Sequence, residues 1–591
     1  MLTKYIETIL MFVINWFTSA LARSRPEPRA QAGKQSDTLL SRLLGSRATS
    51  APTMPLPPAD PPVVIGEIVP SARESLHQPK APRRDASFST QERCKHCYIT
   101  GISGAGKTTL LFNMLLADVA ADRGVCFVDF RGENADTILA QLASRYSPVE
   151  LADRLLLLDL RRARNGGGGQ GKDAMRSKAD TSFTIGFDPL HQGQDPYSQV
   201  MFVMDVLKQQ FGAALGVQTE ELCRNTLLAM ALSPSRPPLA DIEIFLTSSS
   251  ARAALLEDIT DSGVLRFFSR YDALPETQRS QWVSPVMNKI SPMLSLPGLR
   301  LLLGDFRSVS LRDFLDAQPN AILLVSLAAD EIYGLASLIG TLVISAVASA
   351  LMRSDRKGGS PFFLYVDEFH NFASASGDQF CTMISEARRF GLGLILSHQS
   401  TSQLEPKLRV LIRNVVSTHV LFSTGGVDAE LLAGEIPSDE PKTVIKQVLL
   451  SQRPGEALLV RRGLPTARIK TYFIPDPVVA ASAVRALRQA ALSRHGRPAA
   501  EVEAELQSRE ARYLSLALPN NPAKPVHPAK ESRPQKAAVP PASPSQATFS
   551  QNQYEVRDYE EKYGTKKRYG TKKRPGTEEK HGDESDAASH D

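Results

Sequence analysis

His96–Leu116 reads HCYITGISGAGKTTLLFNMLL, and this stretch decides the fold. Its centre, Gly101–Thr108, fits the phosphate-loop pattern of Gly, four residues, then Gly-Lys-Ser/Thr. Cys97-Tyr98-Ile99 precedes it as a short buried strand, and Leu110, Leu111, Met114 and Leu115 follow at helical spacing. Strand, glycine loop and helix together aim backbone N–H groups and a helix N-terminus at a phosphate chain. The nucleotide-binding set expected here is Gly101, Ile102, Ser103, Gly104, Ala105, Gly106, Lys107, Thr108 and Thr109. Lys107 would reach the β- and γ-phosphates and the Thr108 hydroxyl would hold Mg²⁺.

Bulk properties bound the rest. A chain of 591 residues has room for two or three domains, and a net charge of +6 is too mild by itself to argue for nucleic acid. The five cysteines are scattered (94, 97, 126, 223 and 381), so no disulfide framework is expected and a reducing compartment is the default. Cys94 and Cys97 form a CxxC without a second pair, which reads as two incidental thiols leading into a core strand.

Residues 1–23 form the first segment. Thr8–Ala22 carries no charge over 15 residues, about 22 Å of helix against a hydrocarbon core of about 30 Å. Membrane association, as a span or as an interfacial helix, is the expectation, ahead of a packed helix and of a signal peptide ending in Ala20-Leu21-Ala22. Residues 24–60 read as a disordered tether, because residues 24–85 hold eleven prolines. Val63–Val69 opens the folded part.

Gly124–Asp129 and Leu155–Asp159 are apolar runs ending in an acid. Such runs separated by helices predict an α/β fold with a mostly parallel sheet covered on both faces. Residues 165–172, NGGGGQGK, read as a flexible loop. Residues 61–195 make the first part of this domain, and 196–303, helical with no clear strand, are expected as an inserted all-α domain. Residues 304–475 return to the α/β pattern through Ala321–Leu327. Gly334–Met352 has 19 uncharged residues. It is assigned to the core, since one membrane crossing there would separate the two halves of the nucleotide site. Residues 476–518 read as C-terminal helices. Residues 519–591 read as a disordered tail whose YGTKKR repeats (Tyr563–Arg568, Tyr569–Arg574) read as a solvated expansion, ahead of a contact with nucleic acid or anionic lipid.

Phe362–Glu368, FFLYVDE, is an apolar strand ending in two acids. Downstream of a phosphate loop, a strand-end acid assists Mg²⁺ and an adjacent Glu orients the attacking water, so Asp367 is the metal candidate and Glu368 the base. Ser385–Gly391 reads as a helix closing at a glycine, followed by the strand Leu392–Ser397 and then His398-Gln399. A polar residue at that strand end would sense the γ-phosphate.

Three segments, FLYVDEFHNF, SEARRFGLGLILSHQSTSQL and IRNVVSTHVLFSTGGVDAELLA, resemble the FtsK–HerA superfamily of hexameric pumping motors. Within it they are most similar to the TraG/TraD-like coupling ATPases of type IV secretion systems. FDPL at Phe187–Leu190 resembles the family's Asn-Pro-Leu segment, with Asp188 in place of Asn. The resemblance spans residues 60–475 and implies a RecA-like P-loop core binding ATP and Mg²⁺. It assigns catalysis to Lys107, Glu368, Gln399 as γ-phosphate sensor, and Arg388 as a finger supplied across a subunit interface. Arg389 and Arg413 are weaker candidates for that finger. Magnesium goes to Thr108 and Asp367. The implied partners are DNA with a bound relaxase-type protein, further copies in a hexamer, and the inner membrane or components of a type IV secretion channel. Two other readings stand beside the coupling ATPase: a soluble HerA-like DNA translocase, and a recruiting platform in which ATP controls assembly without translocation.

Overall fold

The apolar runs become strands of one sheet. The computed structural model describes residues 60–69, 84–161, 183–193, 195–212, 216–332, 334–353, 360–373 and 377–517. The Tyr5–Ala22 segment, most of the 24–60 tether, the NGGGGQGK loop and the 519–591 tail lie outside them. In chain order the strands are β1 (Val63–Val69), β2 (Arg84–Phe88), β3 (Cys97–Thr100), β4 (Gly124–Asp129), β5 (Leu155–Asp159) and β6 (Phe183–Thr184). They continue as β7 (Ile322–Ser326), β8 (Phe362–Val366), β9 (Leu392–His398), β10 (Thr418–Leu421), β11 (Glu456–Arg461), β12 (Ala467–Thr471) and β13 (Arg497–Pro498).

The eleven-stranded sheet has the order β2-β1-β12-β11-β10-β3-β9-β8-β4-β7-β5. From β10 to β5 every pairing is parallel; β11, β12, β1 and β2 extend it by antiparallel pairing. Every residue of β3, β4, β7, β8 and β9 is buried, as a sheet covered on both faces requires. Because these strands run the same way, their C-terminal ends open on one edge, where ligands of open α/β sheets bind.

Below that edge a charged cluster lies against β8. Arg93 donates to both oxygens of Asp118 at 2.6 Å, Arg123 adds a bond at 3.0 Å and the Tyr365 hydroxyl another at 2.5 Å. The Arg93 guanidinium also lies 3.8 Å from the centre of the Phe363 ring. Asp118 is fully buried, so only this complete set of donors makes its charge tolerable.

Leu335–Leu351 is a core helix: most of its side chains are buried, and a Cβ at Gly340 would fall 2.2 Å from a Phe372 ring carbon. Its small residues let the backbone approach that ring. Among the described residues no helix is long and apolar enough to cross a membrane. Pro196–Gly304 contains only helical elements among its described residues, packed around Leu227, Met230, Phe245, Phe268 and Tyr271. Two C-terminal helices return to the body. In Ala481–His495, Arg488 pairs with Asp136 and Asp159, which also hold Arg161. In Ala499–Ala517, Arg509 donates to the Gly304 carbonyl at 2.7 Å and Tyr513 meets Phe245 edge to face.

Candidate nucleotide site

The glycine loop turns sharply after β3. Gly104 and Gly106 adopt φ of 76° and 114°, a region open to glycine at little cost, and Gly106 leads directly into the helix Lys107–Ala120. Two backbone bonds brace the loop from the strands beyond β10: Ile102 N–H to the Ser423 carbonyl at 2.8 Å, and Gly455 N–H to the Ala105 carbonyl at 2.9 Å. Gly101 and Ala105 are buried behind the loop, while Ile102 is exposed. Ser103, Gly104, Gly106, Lys107, Thr108 and Thr109 line a cleft of about 270 Å³.

Lys107 is buried and its Nζ donates to the carbonyls of Gly101 (2.7 Å) and Ile102 (3.0 Å). Burial lowers its pKa, opposed by the nearby charges of Glu368 and Asp367. The ammonium therefore sits between its own loop and two carboxylates.

Across the cleft, β8 delivers Asp367 and Glu368, β9 delivers Gln399 and β4 delivers Asp129. Burial, followed by the charges of Glu368 and Asp129, pushes the Asp367 carboxyl up to about 6. Asp129 is likewise raised by burial, although it accepts the backbone N–H groups of Asn134 (2.7 Å) and Ala135 (3.1 Å). Asn134 reaches between the two acids, at 3.3 Å from Asp129 and 3.4 Å from Asp367.

The chemistry of this donor set fits Mg²⁺. Thr108 and Asp367 offer hard oxygens, and a cation beside Asp367 would remove the penalty that raises its pKa. Among the described residues no group of three or more His, Cys, Asp or Glu forms a closed metal cage. Magnesium does not require one, since it keeps waters and takes substrate phosphates as ligands.

Glu368 has φ of 51°, a left-handed conformation costing about 1–2 kcal/mol outside glycine. Its N–H donates to Asp367 Oδ1 at 3.1 Å, and its Oε1 accepts from Gln399 Nε2 at 2.6 Å. His370 Nδ1 lies 3.4 Å from Oε2. Burial lowers the His370 pKa, so the imidazole is neutral at pH 7. Just behind, His398 Nε2 and the Tyr98 hydroxyl share a hydrogen bond of 2.5 Å, and burial brings His398 down to about 3. A strand end of neutral side chains, with Tyr98 and His398 buried, thus presents Gln399 and Glu368 to the cleft.

Arg388 lies elsewhere. It is exposed and precedes β9, whereas Gln399 follows it. Seven strand residues separate the two edges by roughly 20 Å at about 3.3 Å each, so Arg388 cannot reach the cleft of its own chain. Arg389 pairs with Glu386 at 2.7 Å and Arg413 with Glu435 at 2.8 Å. Asp188, in the FDPL turn, accepts the Leu190 N–H at 3.0 Å and faces His191 Nδ1 at 2.5 Å, which gives it a turn-closing role.

Sequence reasoning missed Asp129, Arg131, Glu133 and Asn134, all on the cleft wall. The signal for Asp129 was present: β4, like β8, is a fully buried strand ending in an acid. Arg131 and Asn134 occupy the loop after it, and only the placement of β4 next to β8 brings them to the phosphate loop.

Comparison with known proteins adds one family. Residues 269–410 match the type IV secretion-system coupling protein DNA-binding domain. That stretch includes Asp367, Glu368, Arg388 and Gln399 and ends before β10. No curated protein matches the chain. Among solved structures, the unbound bacterial conjugative coupling protein TrwBdeltaN70 is 14% identical, covering 70% of this chain and 94% of that one at a TM-score of 0.49. The plasmid coupling protein TrwB in complex with ADP and Mg²⁺ is 15% identical, covering 71% and 97% at 0.47. VirB4 of Thermoanaerobacter pseudethanolicus is 13% identical, covering 70% and 96% at 0.45.

Proposed function

We propose that this chain is an ATP-hydrolysing DNA translocase, the coupling ATPase of a conjugative type IV secretion system. The observation that carries the reading is one cleft lined by Lys107 and Thr108 of a glycine loop, the Asp367–Glu368 pair and Gln399. The match of residues 269–410 to a coupling-protein DNA-binding domain supports the secretion role and a DNA partner.

In this reading the loop amides and Lys107 hold the phosphate chain of ATP, and Lys107 exchanges its bonds to the Gly101 and Ile102 carbonyls for phosphate oxygens. Thr108 and Asp367 would hold Mg²⁺, which when bound neutralises charge on the β- and γ-oxygens. Glu368 takes a proton from the attacking water. Gln399 fixes the Glu368 carboxylate and exchanges it for the γ-phosphate, a bistable contact that reports nucleotide state. Arg388, at the far edge of the sheet, completes the cleft of a neighbouring copy. That requirement favours a ring, with six copies as the family resemblance implies. The helical region 196–303 selects cargo, a relaxase-type protein on its DNA, and the segment 5–22 attaches the ring to the inner membrane beside the secretion channel.

The decisive experiment measures ATP hydrolysis by the purified chain with and without single- and double-stranded DNA. Stimulation by DNA, abolished in Glu368→Gln, is expected. Hydrolysis indifferent to DNA would overturn translocation, and DNA transfer undiminished by Glu368→Gln would favour the recruiting platform.

A further inference from the structure

A second cavity, about 580 Å³, lies against β3, β10 and β11. Its floor is Tyr98 of β3, Leu421 of β10 and Val460 of β11, and its walls are the helices Pro406–Val415 and Gly426–Glu435. The size falls within the range of small-molecule sites, and the lining is mainly apolar. Cations are the exception. Arg409, Arg413, Arg461 and Arg462 surround the space, and the one carboxylate in its lining, Glu435, is already bonded to Arg413 at 2.8 Å. Arg461 lies 3.7 Å from Glu92, outside the cavity, and Arg462 donates to the Asn414 carbonyl. Arg409 and Arg461 each keep a buried Nε without a hydrogen-bond acceptor, and of the two only Arg409 has no ion pair among the described residues.

An apolar cavity with surplus buried donors is complementary to an anion with an apolar body. A guanidinium in such surroundings gains most from a carboxylate, which it can grip with two parallel bonds. We propose that this cavity binds an apolar carboxylate of medium chain length, its head on Arg409 and its alkyl chain over Tyr98 between the two helices. The floor adjoins the nucleotide cleft. The Tyr98 hydroxyl bonds His398, and the next residue, Gln399, holds Glu368. A ligand pressing on Tyr98 therefore bears on the strand end that positions Glu368.

The test uses the full chain and follows its melting temperature with decanoate, decylamine and decan-1-ol. Decanoate should raise it progressively with concentration, as a ligand of the native state does, while the amine and the alcohol leave it unchanged. Arg409→Met should weaken decanoate about tenfold or more, the worth of a charge-assisted pair. Leu431→Trp should block the cavity without touching Arg409; Leu431 is 36% exposed, so the larger ring has room. Both variants should melt as the parent does without ligand. Equal stabilisation of parent and both variants, stabilisation by all three amphiphiles, or binding only of an acidic apolar peptide would overturn the proposal. Decanoate binding needs no nucleotide, so this result is independent of the ATPase assay.

Discussion

Gln399→Ala removes the bond from Nε2 to Glu368 Oε1, 2.6 Å long. The Glu368 side chain is only 14% exposed, so solvent replaces this bond poorly. A hydrogen bond to a charged group contributes about 1.5–3 kcal/mol, which corresponds to a rate factor of about 10–150 at 1.36 kcal/mol per decade. The phosphate loop is braced separately, by Ser423 and Gly455, so nucleotide affinity should survive. Steady-state hydrolysis gives kcat, and titration with a fluorescent ADP gives Kd. The expected result is a kcat reduced about 10- to 150-fold with Kd changed less than about threefold. A kcat within twofold of the parent would refute the role given to this bond. So would a loss of ADP binding in proportion to kcat, because Gln399 would then be part of the loop's support.

Lys107→Ala and Arg388→Ala should each abolish hydrolysis alone, yet mixing the two should recover a measurable fraction, since an intact loop can then meet an intact arginine from its neighbour; a mixture as inactive as its components refutes the finger in trans. Asp367 has its pKa raised from 3.8 to about 6. Its protonation therefore favours the folded state below pH 4, an advantage lost as pH rises through 6. Binding of Mg²⁺ requires the ionised form, so the increment in melting temperature given by Mg²⁺ with ADP should shrink below pH 6, and Asp367→Asn should abolish both the increment and its pH dependence. Asp118→Ala leaves Arg93 and Arg123 buried without their shared carboxylate and should cost about 3–5 kcal/mol in urea unfolding; a loss below about 1 kcal/mol would show that water or another acid replaces it.

Local composition carried much of this fold because parallel strands buried on both faces must be apolar throughout. Cys97–Thr100, Gly124–Asp129, Leu155–Asp159, Ile322–Ser326 and Phe362–Val366 are legible for that reason. Beyond Val63–Val69, the antiparallel extension was not: β11 and β12 carry exposed or half-buried charges such as Glu456, Arg461, Arg468 and Lys470, which blur the apolar signal. Their pairing with β1, far away in sequence, is a property of the folded chain.

The glycine loop could be found in the sequence alone because its chemistry is local. Two glycines in left-handed conformations, a lysine and a hydroxyl must be close neighbours to wrap one phosphate. Asp367 and Glu368 were legible for a similar reason, as acids ending a buried strand. What completes the cleft around them depends on strand order, which no local pattern encodes. Placing β9 beside β8 lets Gln399 grip Glu368, and placing β4 on the other side brings in Asp129, Arg131 and Asn134. The same order sends Arg388 to the opposite edge. A residue eleven positions from Gln399 is then separated from it by the length of a strand, which is why the proposed arginine finger has to come from another copy of the chain.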